Sequence, residues 1–373
     1  MLNRKDIRIG IIAVCNNFVI NSTNDLLPYA NIETFILKAK DESFSLPNDK
    51  KVYIFNKKSL LDLIRFYKLL RKKQKDFDIF IFHYLNPYFL LLSLVGTIKK
   101  PMVHFCYGSD LRKKGISKWL IKMALQKMSI IFAEQNEQKL FIQNEFQIPE
   151  NKIDSSIVIW NINKCFKIIP EQELNLIKNK WNIKKRYIIF SPRTLSAFYN
   201  HHLLLEGINH LDEKWTRDIQ IIAVGIGEES YIHNLLELAS KFKIELTIIN
   251  KYLSPMEMAE LFNLSLINVN IPKNDLFGTS IQEGCLCGSI PLLNIDIPTY
   301  HEYMKDKINC FYVKPDSTDI AEKIEDILNR CHHLRTIISK NNVNLFSHRQ
   351  NSEENSKILV QRLNVVIESS RLP

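Results

Sequence analysis

Short β-branched runs alternate with longer amphipathic stretches along this chain. That alternation narrows the possible folds more than any other feature, because strand and helix in repeated succession build parallel sheets covered on both faces. In the first half strands are predicted over residues 8–14, 51–55, 77–83, 101–107 and 129–134, with helical patterns over 59–77 and 118–128. A further strand near Ile157–Trp160 runs into residues 161–175, which show no clear period and read as a loop. The rhythm then restarts, with strands over 186–193, 219–227, 245–250, 266–271, 289–295 and 309–314 and helices over 201–211, 230–242, 254–265 and 279–287. Residues 350–369 have the pattern of a terminal amphipathic helix. At 373 residues the chain is too long for one ordinary core. The expected fold class is α/β, with two doubly wound Rossmann-like domains facing a cleft. Residues 1–165 form the first, residues 166–350 the second, and a helix within 351–373 packs back toward the first.

Composition removes several other classes. Hydrophobic residues at 46% and charged residues at 24% are ordinary for a globular chain and too apolar for a disordered one. The longest apolar stretch, Tyr88 to Ile98, falls well short of the roughly 20 residues a spanning helix needs. The first residues carry no small-residue cleavage site and read as a strand rather than a signal peptide. Seven cysteines, an odd number without a CxxC pair, argue against a disulfide framework or a zinc ribbon and for a reduced, cytoplasmic setting. No metal site is expected. The charge is lopsided: residues 1–165 hold 26 Lys and Arg against 15 Asp and Glu, while the rest of the chain holds 24 against 25.

Only ten glycines occur, and three of them, Gly278, Gly284 and Gly288, fall within eleven residues. Gly225 and Gly227 close a predicted strand, and Gly108 follows another. Ligands of open α/β sheets bind at the carboxyl ends of strands, where these glycines cluster. A helix starting after Gly278 would turn the backbone N–H groups of Phe277, Gly278, Thr279 and Ser280 toward that crevice, a ready pocket for phosphate. Asp275 precedes the helix start and Glu283 lies eight positions on. Such acids can grip ligand hydroxyls, and the carboxylate on the helix can chelate a vicinal diol. Acids near a helix start are also favoured by the dipole with no ligand at all.

An acid and a glutamate eight residues apart, followed by a small-residue helix and a strand, resemble the signature of GT-B glycosyltransferases, especially the family-4-like retaining enzymes. Other segments are similar in order. SPRTLSAFYNHHLLLEGI resembles the first C-domain segment, IQIIAVGIGEES the strand ending in Val-Gly-x-Gly, KYLSPMEMAELFNLS the nucleobase loop, and HEYMKDKINCFYV the closing segment. The resemblance covers residues 186–325 well and 77–135 loosely. It implies that Glu283 holds the ribose hydroxyls of a nucleotide and that Asp275 contacts the donor sugar. The amides of Phe277, Gly278 and Thr279, with Ser280, would meet sugar and phosphate, Tyr252 would lie at the nucleobase, and Arg193 would neutralise the diphosphate. His201 and Gly225 would assist at the phosphates. The chain departs from the pattern at four places. Asp275 replaces a glutamate, Asn200, His201 and His202 stand where a lysine is usual, Cys310 replaces a glycine, and Val14-Cys15-Asn16-Asn17 replaces a Gly-rich loop.

In the first half, HFCYGSD ends a strand and places Asp110 at its carboxyl edge. The resemblance makes Asp110 the candidate for deprotonating or orienting the acceptor hydroxyl, with His104 and His83 as alternatives. Capping of a following helix is the plain reading of Asp110, and a core position that of His104. Two basic amphipathic segments, Arg65 to Lys75 and Arg112 to Lys122, suit either a solvated face or an anionic membrane surface. No nucleic-acid motif is present and the aromatics do not interleave with the cations, so no nucleic-acid partner is expected.

The resemblance thus implies a metal-independent, retaining transfer of a sugar from a nucleotide-sugar donor, UDP-sugar favoured, to a glycan or lipid-linked acceptor. Bacterial surface polysaccharide synthesis is the expected setting, on the cytoplasmic side and peripheral at the membrane. No cofactor is implied beyond the donor itself. The second domain would bind the donor and the first the acceptor. A sugar-nucleotide epimerase of the same architecture, or a non-catalytic basic protein associated with membrane or nucleic acid, are the competing readings.

Overall fold

The structure is a computed structural model that describes residues 7–14, 17–38, 51–85, 89, 98–108 and 110–371. Cys15, Asn16, Ser109 and most of the apolar stretch 88–98 lie outside the described residues. The chain divides into two compact units, one of residues 1–161 with 351–373 and the other of residues 162–350.

The first unit is built on a seven-stranded sheet in the order β3-β2-β1-β4-β5-β6-β7. Its strands are β1 (Arg8–Val14), β2 (Asn31–Lys38), β3 (Lys51–Asn56), β4 (Ile79–His83), β5 (Met102–Phe105), β6 (Ile130–Phe132) and β7 (Ile153–Asp154). Every pairing is parallel. β4 and β5 are buried along their whole length, as strands covered on both faces must be. The helix Leu60–Lys73 opens on Ser59, whose hydroxyl accepts from the Asp62 N–H, and turns Phe66 and Leu70 into the core. The terminal helix Ser352–Ser369 belongs to this unit. Its Leu359, Leu363 and Ile367 share a core with Val19 and Leu26 of the helix Asn17–Leu26.

The second unit repeats the plan with six strands in the order β10-β9-β8-β11-β12-β13. They are β8 (Tyr187–Ser191), β9 (Ile219–Val224), β10 (Glu245–Ile249), β11 (Ile267–Asn270), β12 (Ile290–Asn294) and β13 (Phe311–Val313), again all parallel. The helix Pro255–Leu264 has a complete capping box, Ser254 and Glu257, with proline at its first position. Both units therefore have the doubly wound order of a Rossmann-like fold, in which the strand sequence reverses beside the first strand.

The differences from expectation are local. β2 was not predicted, and neither were the helices Ser317–Asn329 and Cys331–Phe346. Ile157–Trp160 is not a strand: the Glu134 carboxylate accepts from the N–H groups of Ile159 and Trp160, replacing a ladder partner. The supposed loop 161–175 already contains the start of a helix, Glu171–Lys180. Among the described residues no helix is long and apolar enough to cross a membrane.

Candidate active site

In each unit the strand order turns at a switch point, between β1 and β4 and between β8 and β11, and the carboxyl ends of those strands are where a doubly wound sheet offers a crevice. In the second unit Arg193 follows β8, while Asp275 and the helix Thr279–Leu286 follow β11. The two loops are stitched together. Asn200 Nδ2 donates to the Ile271 carbonyl at 2.9 Å, and the Lys273 N–H to the Phe198 carbonyl at 2.9 Å.

Arg193 is the centre of this stitching. Its Nη2 lies 2.8 Å from Asp275 Oδ2, its Nη1 donates to Ser280 Oγ at 3.3 Å, and its guanidinium sits 4.7 Å over the Tyr199 ring. The Tyr300 hydroxyl donates to the same Asp275 oxygen at 3.0 Å. Burial opposes the charge on Arg193, but Asp275 and the two tyrosines outweigh it and hold the guanidinium more firmly protonated than usual. For Asp275 burial wins over Arg193 and raises its pKa above the ordinary carboxylate value. Gly278 lets the guanidinium come close to the backbone, since a Cβ there would stand 2.6 Å from Arg193 Nη1 and displace that group. Gly278 also caps the helix Thr279–Leu286 with extended backbone and no side-chain cap. The helix start, with its positive dipole end, is thus presented beside the guanidinium. Ser280 is further tied to Asn270, and Asn268 Nδ2 donates to the Ser280 carbonyl at 3.1 Å. Tyr199, Tyr300, Asn268 and Asn270 were not singled out from sequence, because nothing in their local pattern marks them.

The remaining donor-side candidates are placed differently. Glu283, one turn into the helix, is half-buried, and its carboxyl has neither a hydrogen bond nor a cation among the described residues. Burial alone pushes its pKa up to about 7. The titratable groups that feel its charge are the thiols of Cys165 and Cys287 rather than Arg193. The Phe277 ring is core, stacked on Tyr303 with centroids 4.7 Å apart, so any ligand contact from this residue is through its backbone. Tyr252 is 82% exposed just before the helix Pro255–Leu264. Gly225 adopts φ +152°, and a Cβ there would meet the Arg193 carbonyl at 2.6 Å, so this glycine admits the Arg193 loop itself. His201 has both ring nitrogens engaged within the unit. Its Nδ1 lies 3.0 Å from Ser191 Oγ, its Nε2 donates to the Thr194 carbonyl at 3.0 Å, and burial lowers its pKa to about 4. The neutral ring braces the Arg193 loop.

In the first unit His83, His104 and Asp110 are brought together at the carboxyl ends of β4 and β5, all fully buried. Asp110 was expected to face an open crevice, and the structure encloses it instead. Its Oδ1 accepts from the Tyr107 N–H and its Oδ2 from the Leu85 N–H, both at 3.2 Å, and His104 Nε2 stands 3.0 Å from Oδ2. His104 Nδ1 donates to the Phe82 carbonyl at 3.1 Å, which aims Nε2 at the carboxylate, off the ideal donor axis. Nor does Asp110 cap a helix, since the next one, Ile116–Lys127, starts on Gly115. His83 is boxed by Phe105, Tyr107 and Trp160, with Nδ1 3.0 Å from the Tyr107 hydroxyl and Nε2 without a partner among the described residues. Burial, then the neighbouring His104, lowers its pKa to about 3. Among the described residues no group of three or more His, Cys, Asp or Glu side chains could hold a metal ion.

Comparison with known proteins agrees with this geometry. Residues 173–345 match the family model described as "Glycosyl transferases group 1", a stretch spanning nearly all of the second unit. No curated protein matches the chain by sequence. Among solved structures, HepE of Anabaena in complex with UDP and glucose is similar at TM-score 0.76 and 12% identity, covering 96% of this chain and 100% of its own. Sucrose-phosphate synthase of Thermosynechococcus elongatus is similar at 0.78 and 11%, covering 97% and 100%. A glycosyltransferase of Rickettsia africae is similar at 0.74 and 17%, covering 98% and 99%. The match to the group 1 glycosyl transferase family thus lies in the second unit, over residues 173–345, and the chain, with a Rossmann-like sheet in each unit, shares the fold of these solved structures.

Proposed function

We propose that the protein transfers a sugar, with retention of configuration and without a metal ion, from a UDP-sugar to a glycan or lipid-linked acceptor in bacterial surface polysaccharide synthesis. Residues 166–350 bind the donor and residues 1–165 the acceptor. The observation that carries this reading is Arg193, a half-buried, firmly protonated guanidinium fixed beside the start of the helix Thr279–Leu286 at the switch point of a group 1 glycosyltransferase domain. Two of its five N–H groups are left over among the described residues after Asp275, Ser280 and the Tyr199 hydroxyl take one each. They and the helix start stabilise the negative charge that grows on the departing diphosphate. Asp275 keeps acceptor capacity for a sugar hydroxyl, Glu283 takes the ribose hydroxyls, Tyr252 covers the base, and the backbone of Phe277 to Thr279 meets sugar and phosphate. In the first unit His104 and Asp110 buttress the ends of β4 and β5. His83, whose Nε2 has no partner among the described residues, is assigned to orienting the acceptor hydroxyl. The test is calorimetric titration with UDP, GDP and CMP. UDP is expected to bind, and Arg193→Lys to weaken it about tenfold or more by losing the planar fork. Equal affinity for all three nucleotides, or for wild type and variant, would refute the assignment.

The reading extends to attachment at an anionic membrane. The helix Leu60–Lys73 leaves Leu60 and Leu61 about seven-tenths exposed and carries Arg65, Lys68, Arg71 and Lys72, while Ile116 and Trp119 stand exposed on the helix Ile116–Lys127. Apolar side chains flanked by cations suit an interface of anionic lipid. Flotation with phosphatidylglycerol vesicles should fall with rising salt and be lost in Leu60→Glu/Leu61→Glu. Unaltered flotation of that variant would remove this part of the proposal.

A further inference from the structure

The amino ends of β8 and β11 lie at the opposite edge of the second unit's sheet from Arg193, about 15 Å away by strand length. There a cavity of about 600 Å³ opens between Tyr187, Leu264, Leu266 and Ile168 on one side and the helix Cys331–Phe346 on the other. The cavity has the volume of an ordinary small-molecule site, and nothing in the donor chemistry uses it.

Its charge is one-sided. Arg186, Arg335 and Lys340 line it with His332, no carboxylate does, and among the described residues none of the three cations has an ion-pair partner. Arg335 is the informative one. It is half-buried, and its Nη2 and Nε donate only to the carbonyls of Asn263 and Gly288, at 2.7 and 3.2 Å. Burial draws its pKa below the ordinary arginine value, with no carboxylate to restore it. A guanidinium withdrawn from water without a counter-ion is costly, and an anion entering the cavity would relieve that cost. Arg186 is held over the Tyr187 ring at 5.0 Å, which fixes a second planar donor at the rim. Three cations exceed what one carboxylate would neutralise and match a dianion, while the buried faces of Leu264 and Leu266 ask for an apolar body.

We propose that this cavity binds a soluble organic phosphate, its apolar portion against Leu264, Leu266 and Ile168 and its phosphate held by Arg186, Arg335 and Lys340. The site is separate from the donor crevice and does not depend on the donor reading. 1-Naphthyl phosphate is the probe, titrated calorimetrically into the full chain with and without saturating UDP, whose own binding is measured separately. One probe molecule should bind in both cases. Arg335→Gln should weaken it about tenfold to a hundredfold, as loss of charged hydrogen bonds does. Arg335 also holds two backbone carbonyls, so Arg186→Gln/Lys340→Gln, both exposed, provides a variant that leaves the fold intact and should weaken the probe comparably. Displacement by UDP, equal binding of neutral 1-naphthol, or wild-type affinity in the double variant would overturn the proposal. Flotation with phosphatidic acid vesicles that the double variant abolishes would also overturn it, by giving the site to a lipid headgroup.

Discussion

Glu283 offers a measurement in which stability and ligand binding must move in opposite directions with pH. Its carboxyl has no donor or cation among the described residues, and burial raises its pKa from 4.5 to about 7. The folded chain therefore holds a proton on this group that the unfolded chain has released between those two values. Stability is full below about 4.5, falls as pH rises toward 7, and is flat above that. At 1.36 kcal/mol per pH unit, keeping Glu283 ionised costs the fold about 3 kcal/mol at pH 8. Glu283→Gln removes the titration. Urea unfolding should show the variant more stable than wild type by about 3 kcal/mol at pH 8 and nearly equal at pH 4.5. Ribose hydroxyls donate to the ionised carboxylate, so UDP should bind wild type about tenfold more tightly for each unit of rising pH up to about 7, and no more tightly beyond. The variant controls for ionisation of the nucleotide's own phosphate. If the stability difference between the two proteins is the same at both pH values, the carboxyl is not held in the apolar surroundings described here. If their UDP affinities run parallel with pH, Glu283 does not meet the ribose.

Two further outcomes probe the supports of the two sites. A Cβ on Gly227 would lie 2.3 Å from the Leu195 carbonyl, a backbone atom, so Gly227→Ala must shift the loop that carries Arg193. The expected cost is about 1–3 kcal/mol in urea unfolding together with weakened UDP binding, and a variant of wild-type stability would show that the loop yields freely. His104→Leu leaves the buried Asp110 carboxylate with its two backbone donors and no imidazole, for an expected loss of about 3 kcal/mol. The double variant His104→Leu/Asp110→Leu should recover part of that loss, and strictly additive losses would mean that the two side chains do not act as a pair.

What was legible in the chain was whatever depends on neighbours in sequence. The β-branched runs of β1, β8 and β9, the Ser-Pro-x-Glu start of the helix Pro255–Leu264 and the bare glycine before Thr279 announce themselves locally, and they suffice for two parallel sheets and for the helix start after Gly278. β2 escaped because its run, Asn31 to Lys38, is broken by Glu33, which is answered by Lys73 from 40 residues away. The same limit applies at the sites. Arg193 and Asp275 could be picked out as charged residues after strands. Their 2.8 Å pairing, the hydroxyls of Ser280 and Tyr300 that complete it, and the close approach of Arg193 to Gly278 arise when β8 and β11 become neighbours. Asp110 reads as an acid at the carboxyl edge of a strand, yet it is fully buried against His104. His201 stands where a lysine is usual, yet burial lowers its pKa to about 4. Charge state and accessibility belong to the environment that distant segments build around a side chain, and desolvation by those segments is what decided them here.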